Sequence, residues 1–165
     1  VPLKTLYLLR HAKSSWKGPP LADFDRPLNN RGQINAPRMA NYAFEQQIHP
    51  EIIVSSPALR TRHTAEYFHN RLLPQTELLL EPDLYECTAS ELWHIAKRFP
   101  DELSSVLLVG HNTCLEEIIR CFKADLVKFP TCGLATIQFS VARWQDLAPS
   151  LGTLTNLAFP KMLSP

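Results

Sequence analysis

The sequence predicts an α/β fold: a single domain in three layers, with a mostly parallel central sheet flanked by helices. Three observations carry that reading. Short apolar runs alternate along the chain with stretches of helical periodicity. The early runs are apolar on consecutive residues, as in strands buried on both faces. The chain has 165 residues, 45% hydrophobic and 20% charged, which fits one domain over residues 1–165 with a sizeable core.

The elements follow in order. Leu6 to Leu9 is an almost wholly apolar run and reads as the first strand. A polar loop with prolines follows, from Ser14 to Asn30. Gly32 to Gln47 reads as a helix, with Pro37 near its first turns, where a missing N–H is tolerated best. Ile52 to Val54 is a second buried strand, closed by Ser55, Ser56 and Pro57. Thr61, Ala65, Phe68 and Leu72 share one face of a helix. Leu78 to Leu80 is a third strand, and Leu92, Ile95, Ala96 and Phe99 mark another helical face. Val106 to Val109 is a fourth strand, stopped by Gly110, and Leu115, Ile118, Ile119 and Phe122 continue as a helix. Ala135 to Val141 reads as a late strand and Leu154 to Phe159 as an edge strand.

Composition narrows the function. The formal net charge is +1 and no long basic block occurs, which argues against a nucleic-acid binder. No apolar stretch approaches the ~20 residues needed to cross a membrane. The N-terminal apolar run is broken by Arg10 and Lys13, so it does not read as a signal peptide. The expectation is a soluble, cytoplasmic chain. Cys87, Cys114, Cys121 and Cys132 form no CxxC pair and no zinc-ligand spacing. They read as free thiols, mostly buried, in a reducing compartment. No metal or cofactor is expected.

The chemistry stands at the strand ends, where ligands bind in parallel sheets. The first strand ends in Arg10-His11-Ala12, the second in Ser55-Ser56-Pro57 with Arg60 one turn into the next helix, and the fourth in Gly110-His111-Asn112. A parallel sheet would bring two histidines and two arginines together at its rim. Arginine matches phosphoryl oxygens with a planar, permanently charged fork. A neutral imidazole is a good nucleophile near neutral pH, and a second histidine can stabilise the charge in transfer. None of these pieces is specific alone; the three strand ends together are.

Leu8-Leu9-Arg10-His11-Ala12, Ser55-Ser56-Pro57-Ala58-Leu59-Arg60-Thr61-Arg62-His63-Thr64-Ala65 and Leu108-Val109-Gly110-His111-Asn112 resemble, in order, the signature blocks of the histidine phosphatase superfamily, which includes phosphoglycerate mutases. Arg10-His11-Ala12-Lys13-Ser14-Ser15-Trp16, Asp25-Arg26-Pro27-Leu28-Asn29-Asn30-Arg31-Gly32 and the ending Phe159-Pro160-Lys161-Met162-Leu163 are similar to its small SixA-type phosphohistidine phosphatases. Ala12 stands where the superfamily usually has glycine, a mark of that branch. The resemblance implies a phosphoglycerate mutase-like fold. It also implies that His11 accepts the phosphoryl group as a phosphohistidine, that Arg10, Arg60 and His111 bind its oxygens, and that water then releases phosphate. Leu84-Tyr85-Glu86 resembles the place of a catalytic glutamate, so Glu86 is a candidate general acid or base, with Asp83 and Glu91 as rivals. His49, His63, His69 and His94 match no catalytic position and read as structural.

A protonated imidazole leaves readily, so phosphohistidine depends less on an enzymic acid than an alkyl ester does. The segment between the third and fourth strands is short and mostly one helix, which leaves little chain for a lid. Both points favour phosphohistidine on a protein. The alternatives are a phosphatase of small phosphate esters such as sugar phosphates or nucleotides, and a phospho-binding module without turnover. A nucleotide-binding α/β domain would want glycines after the first strand, and Arg10 to Lys17 has none. His11 is expected to be neutral near pH 7, with the two arginines lowering its pKa.

Overall fold

Side chains alternate across a strand, and β1 (Lys4–Arg10) uses both faces: Leu6 and Leu8 enter one core, Leu9 the other, all fully buried. A computed structural model describes residues 2–16 and 21–163, and the other elements follow from the same logic. They are α1 (Asn30–Glu45), β2 (Ile52–Ser55), α2 (Leu59–Leu72), β3 (Leu78–Leu80), α3 (Ala89–Lys97), β4 (Ser105–Gly110), α4 (Cys114–Arg120), β5 (Leu134–Phe139) and β6 (Gly152–Ala158). One six-stranded sheet runs in the order β3-β2-β4-β1-β5-β6. Strands β3, β2, β4 and β1 are mutually parallel. Strand β5 runs antiparallel to both β1 and β6, so the sheet is mixed but mostly parallel.

The layers are those expected. On one face Met39 and Ala40 of α1 and Phe68 of α2 pack with Leu9, Ile53 and Val109. On the other, Leu92 and Ile95 of α3 and Leu115 and Ile118 of α4 pack with Leu6, Leu8, Leu108 and Ile137. The two late strands are present, with β6 at the edge and Val141 in the core just beyond β5. Among the described residues, no helix is long and apolar enough to cross a membrane.

Two features depart from the expectation. Helix α1 starts at Asn30 because the side chain of Asn29 accepts a hydrogen bond from the Gly32 N–H at 2.9 Å, a standard N-cap. Pro37 therefore lies inside the helix, not in its first turns. It is tolerated because Pro37 and Gln33 are both exposed, so water can take the Gln33 carbonyl left without a donor. The loop read as Ser14 to Asn30 is also not featureless. Ser14 bridges to Leu28 and Asp23–Asp25 forms a 3-10 turn, while residues 17–20 lie outside the described part.

Register sets the strand ends side by side. Leu9 and Ser55 each pair with Val109, and Arg10 pairs with Gly110. The residues that follow β1, β2 and β4 therefore start from one rim of the sheet.

Candidate active site

The backbone around His11 is held from three sides. Its N–H donates to the Gly110 carbonyl at 3.1 Å, and its own carbonyl accepts from the Cys132 N–H at 3.0 Å. One residue on, the Ala12 N–H donates to Thr64 Oγ1 at 2.9 Å, and that hydroxyl donates to the Arg60 carbonyl at 2.7 Å. The end of β1 is thus tied to the first turns of α2. Close packing fixes the next residue: a Cβ at Gly32 would collide with the Lys13 carbonyl oxygen, which also accepts from the Asn29 N–H at 3.0 Å. Glycine lets the start of α1 lie directly on the chain leaving His11.

His11 is 7% exposed, and its Nδ1 lies 2.7 Å from the Ala12 carbonyl oxygen. A carbonyl can only accept, so Nδ1 carries the proton and Nε2 keeps its lone pair in the neutral ring. Burial pushes the His11 pKa down to about 3; the Ala12 carbonyl opposes this, while His111, Arg10 and Arg60 add to it. The ring is neutral as expected, but burial comes ahead of the arginines as the cause. The His111 ring lies 5.4 Å away, centroid to centroid. Its Nε2 is 2.8 Å from Ser56 Oγ, and its Nδ1 is buried without a hydrogen-bond partner among the described residues. Burial, then Arg60, lowers the His111 pKa to about 4.

The arginines are positioned by the backbone. Arg10 donates from one terminal nitrogen to the Phe129 carbonyl at 3.1 Å. Arg60 donates to the Asp23 carbonyl at 2.7 Å and to Asp23 Oδ2 at 3.0 Å. Among the described residues, the Nε of each is buried with no hydrogen-bond partner. Permanently charged donors held in this state are suited to receive an anion.

Asp23, like Ser56, has a place in the site that sequence reasoning missed. Its Oδ2 also accepts from the Tyr85 hydroxyl at 2.7 Å, and its Oδ1 pairs with Arg26 at 3.0 Å. Partial burial alone would raise its pKa, but the bonds from Tyr85, Arg60 and Arg26 outweigh that and lower it to about 2. Tyr85 in turn stands edge-on to His111 at 5.7 Å and is pushed up to about 12, by burial and then by Asp23. The only local signal for this node is the acidic residue just before Asp25-Arg26-Pro27; its reach to Arg60 is long-range and invisible in periodicity.

Glu86 follows Tyr85 on an exposed turn with a positive φ of 58°. Its charge acts on the Tyr85 hydroxyl, which places it at the margin of the cluster. Of its rivals, Glu91 sits in a capping pair with Thr88 at the start of α3, and exposed Asp83 lines a separate cavity with Glu91 and His94. His49 and His94 are exposed, His69 bonds the Thr76 carbonyl at 2.7 Å, and half-buried His63 lines a separate cavity with Gln33 and Tyr67.

Cover over the site comes from an unexpected quarter. The β3–β4 segment supplies Tyr85 and Glu86, but it is the 3-10 turn Asp23–Asp25, between β1 and α1, that reaches Arg60 and Tyr85. His11 and His111 are 7% and 8% exposed. Beside Arg10 opens a cavity of about 340 Å³ lined by Lys13, Arg31, Lys128 and Lys161, with no acidic side chain among the described residues.

A family model for the histidine phosphatase superfamily (branch 1) matches residues 6–102. An uncharacterised chloroplastic protein of Arabidopsis thaliana is 31% identical over 153 residues, which cover 87% of this chain and 70% of that protein. A SixA structure from Agrobacterium tumefaciens, described as a candidate phosphohistidine phosphatase, superposes with a TM-score of 0.79 at 30% identity, covering 97% of this chain and 99% of that one. The structure of a protein histidine phosphatase SixA complexed with tungstate superposes with a TM-score of 0.75 at 21% identity, over 97% of this chain and 99% of that one, a likeness of fold.

Proposed function

The chain belongs to the histidine phosphatase superfamily, and from that premise we propose that it hydrolyses phosphohistidine on a protein, with His11 as the nucleophile. The observation that carries the proposal is the His11 ring: Nδ1 is bonded to the Ala12 carbonyl, Nε2 is free to attack, and burial keeps the ring unprotonated. Nε2 attacks phosphorus, the bond to the substrate imidazole breaks, and His11 carries the phosphoryl group until water displaces it. Arg10 and Arg60 bind the phosphoryl oxygens through their buried, unpartnered Nε groups and remaining guanidinium N–H donors. With the Ser56 hydroxyl donating to His111 Nε2, the His111 proton sits on Nδ1, from which it donates to a third oxygen.

Asp23 holds a terminal nitrogen of Arg60 while the remaining donors bind the phosphoryl group, so its negative charge opposes the anion at that guanidinium. Glu86 is at hand to protonate a poor leaving group or to orient water. Its exposed, marginal position supports a substrate with an easy leaving group, which the imidazole of phosphohistidine is. The basic cavity beside Arg10 supports a substrate that carries further negative charge around the phosphoryl group.

The test is phosphate release from a phosphohistidine peptide and from a simple alkyl phosphate, with wild type beside His11→Ala. Release from the phosphohistidine alone, reduced at least a thousand-fold in the variant, is the expected result. Equal or faster release from the alkyl ester would make the protein a small-ester phosphatase. Phosphate binding with no release from either would make it a binding module.

A further inference from the structure

The four cysteines are free thiols, as expected. Two of them nevertheless meet. Cys87 Sγ and Cys114 Sγ lie 3.3 Å apart. They come from different elements: Cys87 is next to Glu86 at the start of the turn into α3, and Cys114 opens α4 just after His111. The Cys114 thiol also lies 3.3 Å from the His111 carbonyl oxygen, a bond it donates. Neither sulfur has a role in the hydrolysis described above.

We propose that Cys87 and Cys114 are a peroxide-sensitive dithiol, a modification site whose disulfide ties the Tyr85–Glu86 turn to the His111 loop and slows phosphoryl transfer. The sulfurs are already in contact, and a disulfide needs a separation of about 2.04 Å, so they must close by only ~1.3 Å. Exposure orders the steps. Cys87 is half-buried and reachable, whereas Cys114 is 4% exposed. The contact between the two sulfurs also lowers the Cys87 pKa and raises that of Cys114, which makes Cys87 the attacking sulfur.

The reaction balances with a hydroperoxide as oxidant. The Cys87 thiolate attacks the O–O bond of hydrogen peroxide, takes one oxygen as a sulfenic acid and expels hydroxide, which with the thiol proton becomes water. Cys114 sulfur then attacks Cys87 sulfur, the S–O bond breaks and a second water leaves. Two thiols lose two electrons in all and one peroxide becomes two waters. A thiol reductant reverses the bond. The coupling to the site is short: the bridge removes the donor to the His111 carbonyl and draws Cys114, three residues from His111, toward the turn that carries Tyr85.

The test has two readouts, because the effect on turnover rests on the phosphatase reading and the disulfide does not. Full-length protein is treated with micromolar hydrogen peroxide, and its thiols are counted and its peptides mapped by mass spectrometry. The expected result is loss of two thiols per chain and a single crosslink joining the Cys87 and Cys114 peptides, reversed by dithiothreitol. Cys87→Ser should lose no thiol pair. An unchanged thiol count, or a crosslink through Cys121 between chains, overturns the dithiol. The second readout is phosphate release before and after oxidation. A fall of five-fold or more that dithiothreitol restores, and that Cys87→Ser escapes, is expected. A crosslink with unchanged release overturns the coupling to the site. Protein with no release even when reduced points instead to failure of the phosphatase reading, while the crosslink is judged by mass alone.

Discussion

At the scale of single residues, Asp23 has the clearest measurable consequence. It holds Arg60, Arg26 and Tyr85 at once, and its carboxylate is bonded to one of the arginines proposed to bind the phosphoryl group. Asp23→Asn keeps an acceptor for Arg60 but removes the charge. Two unit charges a few ångströms apart in a well-hydrated place interact by about 1 kcal/mol. Inorganic phosphate should therefore inhibit the variant with an inhibition constant ~5-fold lower than wild type. An unchanged or higher constant would mean that Asp23 orders Arg60 more than it opposes anions. The convergence of His11, His111, Arg10 and Arg60 was legible in the sequence because each sits at or after the end of a parallel strand, and strand ends are local features. Asp23 and Ser56 were not, since their roles depend on partners 37 and 55 residues away.

At the scale of elements, the join between β1 and α1 governs the site. The Lys13 carbonyl accepts from Asn29, and Gly32 packs on the same atoms. Gly32→Ala would force that contact apart, at a cost of about 1–3 kcal/mol for overpacking in a confined place. Urea unfolding should show a lower midpoint with an unchanged slope. A midpoint equal to wild type would show that the loop after His11 yields freely. The apolar runs gave β2, β3 and β4 to within a residue at each end, and the periodic face from Thr61 to Leu72 lies within α2. Periodicity placed the start of α1 two residues late, because a cap is a polar, single-residue signal, and that shift is what put Pro37 in the helix interior.

At the scale of the whole molecule, two buried neutral histidines make stability depend on pH. His11 and His111 have folded pKa values near 3 and 4, well below the ordinary histidine value near 6.5. Between those values and 6.5 the unfolded chain binds protons that the folded chain refuses, so stability is full above about pH 6.5 and falls as pH drops toward 4. The depressed Asp23 carboxylate contributes its own loss only at lower pH, as the medium approaches its folded pKa of about 2. Urea midpoints measured from pH 7.5 to 4.5 should decline, and His11→Asn should decline less steeply. Equal slopes for the two proteins would show that His11 is protonated in the folded state. The three-layer architecture was legible from alternation alone, but the antiparallel run of β5 was not, since alternation says nothing about strand direction. That strand also has a temporal consequence. The bond from Arg10 to the Phe129 carbonyl spans 119 residues, and β5 then pairs along β1. During synthesis the histidine-bearing strand must wait, with one edge bare, until a distant part of the chain has left the ribosome, so a nascent chain halted after α4 exposes a sticky edge that chaperones would have to shield.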